Sequence, residues 1–173
     1  MIDRHHDCTK NLKQHIATNA KPYHFLDSGL PNVYLIGVKY WTCSECGAQS
    51  AEIPAPERLM NVIGESVVMK QGILTGQEIK FLRKRAGKKA ADFAALINKT
   101  PEHFSKLETG ALPLQEPTDK LIRLTYGLLS RDKGLLSRLA PNVEEWLNAI
   151  APGKKPPERI QIKKAGKSWS MGS

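Results

Sequence analysis

The sequence predicts an α+β protein: a small β-rich N-terminal domain, an all-α domain of five helices, and a disordered basic tail. Three observations predict it. Residues 32–42, Asn-Val-Tyr-Leu-Ile-Gly-Val-Lys-Tyr-Trp-Thr, are β-branched and aromatic and enter a Cys43-Ser-Glu-Cys46 turn. From Thr75 onward, apolar residues recur at helical spacing between capping signals. Beyond Ala151 the chain is rich in Lys, Pro and Gly, a composition that does not build a core.

At 173 residues the chain has room for one or two small domains. Hydrophobic residues make up 40% and charged residues 25%, which permits packed cores; aromatics at 6% keep them modest. No apolar run approaches a membrane span, and the opening Met-Ile-Asp-Arg-His-His-Asp has no apolar signal stretch, so a cytoplasmic protein is expected. Three cysteines, two of them in a Cys-x-x-Cys pair, argue for a metal site over a disulfide framework.

The net charge of +9 is unevenly spread. Residues 1–60 hold six Lys/Arg and six Asp/Glu; residues 75–150 hold thirteen and nine; residues 151–173 hold six and one. A neutral first half joined to a polyanion-binding second half is the expectation.

Taken in order, residues 1–56 form the β-rich domain, with Asp27-Ser-Gly-Leu-Pro31 as a turn and Ile53-Pro-Ala-Pro56 as its end. Residues 57–74 form a short helix and linker carrying Leu59, Ile63 and Val67, with Gln71–Thr75 as the flexible junction. The helical domain occupies residues 75–150. Thr75 with Glu78 three residues on is a capping box, and Gly87 ends the helix it opens. A helix follows over about 90–97. Thr100 caps the next, with Pro101 in its first position and Gly110 at its end. The last two are expected over about 118–130 and 143–150. Residues 151–173 are the tail.

Cys43-Ser-Glu-Cys46-Gly47 is a metal knuckle: two thiolates three apart, followed by a glycine, can hold one ion on a turn. A structural zinc needs four ligands. His5-x-x-Cys8 repeats the spacing, so His5, Cys8, Cys43 and Cys46 make a HisCys₃ set for a structural Zn²⁺ in a ribbon-like domain. His6 is an alternative to His5, and His15 or His24 to either. A thioredoxin-like role is disfavoured, because that motif opens a helix in a βαβ unit.

The helical domain resembles the Xre/Cro-type helix-turn-helix. The resemblance rests on Ile79-x-x-Leu82-Arg83, on Phe93-Ala94-x-x-Ile97-Asn98, and on Phe104-Ser105-Lys106-Leu107-Glu108-x-Gly110. It departs from the family pattern where Lys89-Ala90 replaces serine-glutamine, Asn98 replaces a turn glycine and Lys99 an apolar residue. The resemblance implies that the helix from Pro101 lies in the major groove. Glu102, His103 and Lys106 would then meet base edges, with Thr100 and Ser105 near the backbone. Lys88 and Lys89 would meet phosphate. Arg83 and Glu108 sit at positions that form an internal ion pair in that family.

The order of parts is similar to the MqsA/YgiT-type antitoxin group, a zinc-ribbon-like domain fused to an Xre helix-turn-helix. The likeness is carried by Gly29-Leu-x-Asn32-Val-x-Leu35, Cys43-x-x-Cys46-Gly47, Ile53-Pro54 and Leu74-Thr75-Gly76-x-Glu78-Ile79. It implies a DNA-binding transcriptional repressor, a homodimer on a palindromic operator of double-stranded DNA, with a toxin protein as a further partner. A stand-alone repressor is the alternative. An enzyme is not expected: a catalytic zinc keeps an open ligand position beside a general base, and no His-Glu-x-x-His or deaminase signature is present.

Overall fold

In the computed structural model of the chain, the described residues are 12–130, then 132, 134–139, 141, 144, 147 and 148, and finally 159–172. Their order is β1 (Leu12–Ile16), β2 (Tyr23–His24), a 3-10 turn (Leu26–Ser28), β3 (Val33–Ile36), β4 (Lys39–Cys43), β5 (Gln49–Ala51), α1 (Pro56–Met69), α2 (Gly76–Arg85), α3 (Ala90–Leu96), α4 (Pro101–Thr109), α5 (Glu116–Leu129), α6 (Leu135–Leu139), β6 (Ile160–Ala165) and β7 (Ser168–Met171). The fold is thus mixed α+β, with six helices and two small sheets among the described residues.

The chain divides into two compact units. The first runs up to Val62 and resumes at Arg159; the second begins at Ile63. This differs from the expected division in two ways. The boundary falls inside α1, within the expected helix-and-linker segment 57–74 but ahead of the Gln71–Thr75 junction where the flexibility was expected. And the last stretch of the expected disordered tail is part of the first unit, where β6 and β7 form a hairpin. Residues 151–158 lie outside the described residues.

The first unit holds both sheets. One has the order β1-β4-β5, all antiparallel; the other has the order β2-β3-β6-β7, with β3 and β6 parallel. The expected single strand over 32–42 is two strands in different sheets. Gly37, at φ +81°, turns the chain between them, a conformation that side chains with a Cβ resist. The hairpin is recruited by apolar alternation: Ile162 pairs with Leu35, and both are fully buried. Trp169 is buried too, and its Nε1–H donates to the Pro54 carbonyl at 2.8 Å. Tyr23, Phe25, Leu30, Val33 and Val38 complete this core.

The hairpin also redistributes charge. Over residues 12–62 four Lys/Arg balance four Asp/Glu, whereas β6, β7 and their flanks add Arg159, Lys163, Lys164 and Lys167 with no acid. The described first unit is therefore basic, and the expected neutral half is not found.

In the second unit, α2 begins as expected: Thr75 Oγ1 accepts from the Glu78 N–H, and Glu78 Oε2 accepts from the Thr75 N–H at 2.7 Å. Buried Ile79, Leu82, Phe93, Ala94, Ile97, Phe104, Leu107, Ile122 and Tyr126 form the core of α2–α5. Helix α5 starts two residues before the expected Thr118. A short helix over 135–139 was not anticipated, and most of the expected helix over 143–150 lies outside the described residues.

The stretch expected to be a flexible junction is clamped. Arg123 of α5 is fully buried, and its guanidinium donates to the carbonyls of Val68 (2.6 Å), Lys70 (2.8 Å) and Gly72 (2.6 Å). Its Nε donates to Asp119 Oδ2, and Asp119 Oδ1 accepts the Leu74 N–H, both at 2.7 Å. Burial pushes the Asp119 carboxyl above its ordinary range, against the opposing pull of Arg123 and the Leu74 N–H.

Two substitutions test this packing. Arg123→Ala strands a buried carboxylate and three carbonyls, and should lower unfolding free energy by about 3–5 kcal/mol in a urea titration. Asp119→Leu combined with Arg123→Met strands no charge but still removes these partners from the three carbonyls and the Leu74 N–H, so it too should lower the unfolding free energy, by at least about 1–3 kcal/mol. Gly76 opens α2 so close to α4 that a Cβ would collide with the carbonyl oxygens of Leu107 and Glu108. Gly76→Ala should therefore destabilise by about 1–3 kcal/mol in the same titration.

Candidate nucleic-acid interface

Helices α3 and α4 are joined by a tight turn whose geometry follows from its residues. The Lys99 N–H donates to the Ala94 carbonyl at 2.9 Å, and Asn98 takes φ +53°. Asn tolerates that left-handed conformation better than most residues with a Cβ. Thr100 then caps α4, its Oγ1 accepting from the His103 N–H at 3.2 Å, with Pro101 in the first turn. Gly110, at φ +75°, ends α4 as expected.

The two faces of α4 are sharply different. Phe104 and Leu107 are buried, with the Phe104 and Phe93 rings 5.4 Å apart. Glu102, His103, Ser105 and Lys106 are exposed, and so is Thr100 at the N-cap. With 3.6 residues per turn, positions 102, 105, 106 and 109 share the outer side. Thr109 turns its hydroxyl back to the Ser105 and Lys106 carbonyls.

Arg83 fixes this helix to the chain that precedes α3. Its Nε and Nη2 donate to Glu108 Oε1 (2.7 Å) and Oε2 (3.1 Å), a two-pronged pair, and its Nη1 donates to the Lys88 carbonyl at 2.9 Å. The ion pair expected between Arg83 and Glu108 is present. Lys89 occupies the N-cap of α3 with an exposed side chain, while Lys88 is half-buried. All seven residues singled out for DNA thus lie on α4, its cap or the entry to α3. The arrangement offers an exposed helix face with donors and an acceptor, flanked by lysines at a helix N-terminus.

The candidate metal ligands are only half placed. Cys43 ends β4 and is buried; Cys46 is exposed. The turn between them closes through the Gly47 N–H to the Cys43 carbonyl at 3.0 Å, with Gly47 at φ +70°. His5, His6 and Cys8 lie outside the described residues. Leu12, the first described residue, pairs with Cys43. The two alternative histidines are engaged elsewhere. His15 stacks on Tyr40 and bonds Thr42 Oγ1; His24 stacks on Tyr34 and bonds the Pro31 carbonyl. Among the described residues no group of three or more His, Cys, Asp or Glu could hold a metal. Two thiolates on a glycine-ended turn fit half of a zinc ligand set.

Sequence reasoning passed over one cluster. Arg159, Tyr34 and His24 form a column in which the Arg159 Cζ lies 3.8 Å from the Tyr34 ring centroid, and the His24 ring lies 4.6 Å from it at 11°. The Ile160-x-Ile162 alternation and the Ala165-Gly166-Lys167-Ser168 turn were the available signal for the hairpin that brings Arg159 there.

Comparison with known proteins adds no relative: the chain matches no protein-family model, no curated protein and no solved structure.

Proposed function

We propose that the chain is a sequence-specific transcriptional repressor that binds double-stranded DNA through α4, with α3 and α4 acting as a helix-turn-helix. One observation carries the reading: α4 buries Phe104 and Leu107 while leaving Glu102, His103, Ser105 and Lys106 exposed on a rigidly capped helix. A major groove admits such a helix. Lys106 donates to guanine O6 or N7, Glu102 accepts from cytosine N4, and Lys88 and Lys89 contact phosphate beside the α3 N-terminus. The overall +9 charge supplies long-range attraction to duplex DNA.

In this reading the protein is a cytoplasmic homodimer on a palindromic operator, because two copies of one reading helix demand repeated half-sites. It is not an enzyme. The antitoxin of a toxin–antitoxin pair, repressing its own operon, is the version that the order of parts favours. The first unit holds a structural Zn²⁺ through Cys43, Cys46, Cys8 and His5 in a ribbon-like arrangement, which compensates for a small core.

The DNA reading is tested by selecting bound sites from random duplexes and titrating variants on the preferred site. Lys106→Ala should lose about 1–3 kcal/mol and relax preference at one base position. Lys89→Ala should weaken all sequences alike and reduce the salt slope by about one. Phe104→Ala should lose about 3–5 kcal/mol of folding stability. A Lys106→Ala protein with unchanged affinity and preference would remove α4 as the reading helix.

Metal analysis of protein purified under reducing conditions should give about one zinc per chain. Cys43→Ser should abolish that zinc and unfold the first unit while the helical signal of the second persists. Protein that carries no zinc when folded would end the metal reading.

A further inference from the structure

The sheet β2-β3-β6-β7 has one buried face and one more open face, half-buried over its centre and exposed at β7. Val33, Leu35, Ile162 and Trp169 line the buried face. By strand alternation and register, the open face carries His24, Tyr34, Gln161, Lys163, Ser168 and Ser170; Ile36, beside Lys163, is the one buried side chain on it. None of the four strands contains an acidic residue.

We propose that this face binds single-stranded nucleic acid, with bases extending the column formed by His24, Tyr34 and Arg159. The column is already built. The His24 Nε2–H donates to the Pro31 carbonyl at 2.7 Å, which fixes the ring against Tyr34. Arg159 covers the Tyr34 ring and is itself exposed, so a guanidinium plane is presented to solvent. Guanidinium planes and aromatic rings are the surfaces on which unpaired bases stack. Tyr34 and Lys163 stand on the two central strands, β3 and β6, where a strand of nucleic acid crossing the sheet passes over both. Lys163 and the guanidinium edge of Arg159 then face its phosphates.

Geometry selects a single strand over a duplex. A four-stranded face is too broad to enter a major groove, whereas the bases of a single strand are free to lie on it. The chemistry also selects nucleic acid over an acidic peptide, which would meet the cations but has no use for a stacked column. This site is separate from α4 and does not depend on the duplex reading.

The test is fluorescence anisotropy of the full chain with a labelled uridine oligomer of about twelve nucleotides. The wild type should bind it, and Arg159→Ala should weaken binding about tenfold. Arg159→Lys keeps the charge and removes the plane, and should stay weakened severalfold. Binding to the selected duplex should stay within about twofold for both, whereas Lys106→Ala should spare the oligomer. Thermal unfolding followed by circular dichroism reports whether each variant keeps its fold. Tyr34→Leu should match Arg159→Ala; should it fail to fold, Arg159→Ala, at an exposed position, decides alone. No oligomer binding by the wild type overturns the proposal. So does full rescue by Arg159→Lys, or equal displacement by polyglutamate, because either reduces the site to charge. If no duplex is ever selected, the oligomer titration still stands by itself.

Discussion

Arg123 sets the path of the chain between α1 and α2. Its guanidinium takes three carbonyls that the end of α1 and the following turn leave without helical partners, and Asp119 takes the Leu74 N–H from the other side. Thr75 follows at once, with the cap that starts α2. The direction of α2, and through Gly76 its approach to the end of α4, begins from this clamp. A buried ion pair adds little net stability, because both charges are taken from water; its contribution is one defined backbone path.

Arg83 repeats the device at smaller scale. It holds a backbone carbonyl at Lys88 and a carboxylate at Glu108, so the entry to α3 and the end of α4 move together. The α3–α4 pair is therefore tied at both ends as well as packed through Phe93 and Phe104. Side chains on the outer side of α4 gain rigidity from this, which is what the proposed base-reading face would require.

What the sequence made legible was local. The capping box at Thr75, the Thr100-Pro101 start, the glycine stops and the apolar phase of α2, α3 and α4 are short-range signals, and the structure follows them. The Arg83–Glu108 pair came through family likeness. Asp119 and Arg123 were not legible, because an acid and a base four apart on a helix look the same whether solvated or fully buried. The hairpin at 160–171 was misjudged for a different reason. Its lysines resemble those of a solvated tail, and its partner β3 lies far away along the chain. Of the candidate sites, the α4 face followed from helical phase, while the column on Tyr34 needed a contact that no local pattern encodes.

The parallel pairing of β3 with β6 makes the first unit discontinuous, with the whole second unit spliced between its strands. During synthesis, β3 leaves the ribosome long before β6 exists. The helices of the second unit, whose contacts are mostly local, have the time to fold first. Until β6 has emerged, β3 has an unpaired edge and Leu35 lacks its partner Ile162. Residues 160–171 are therefore the ones that close the first unit, and a ribosome that stops before them leaves an adhesive strand edge on a chain whose helical unit is already made.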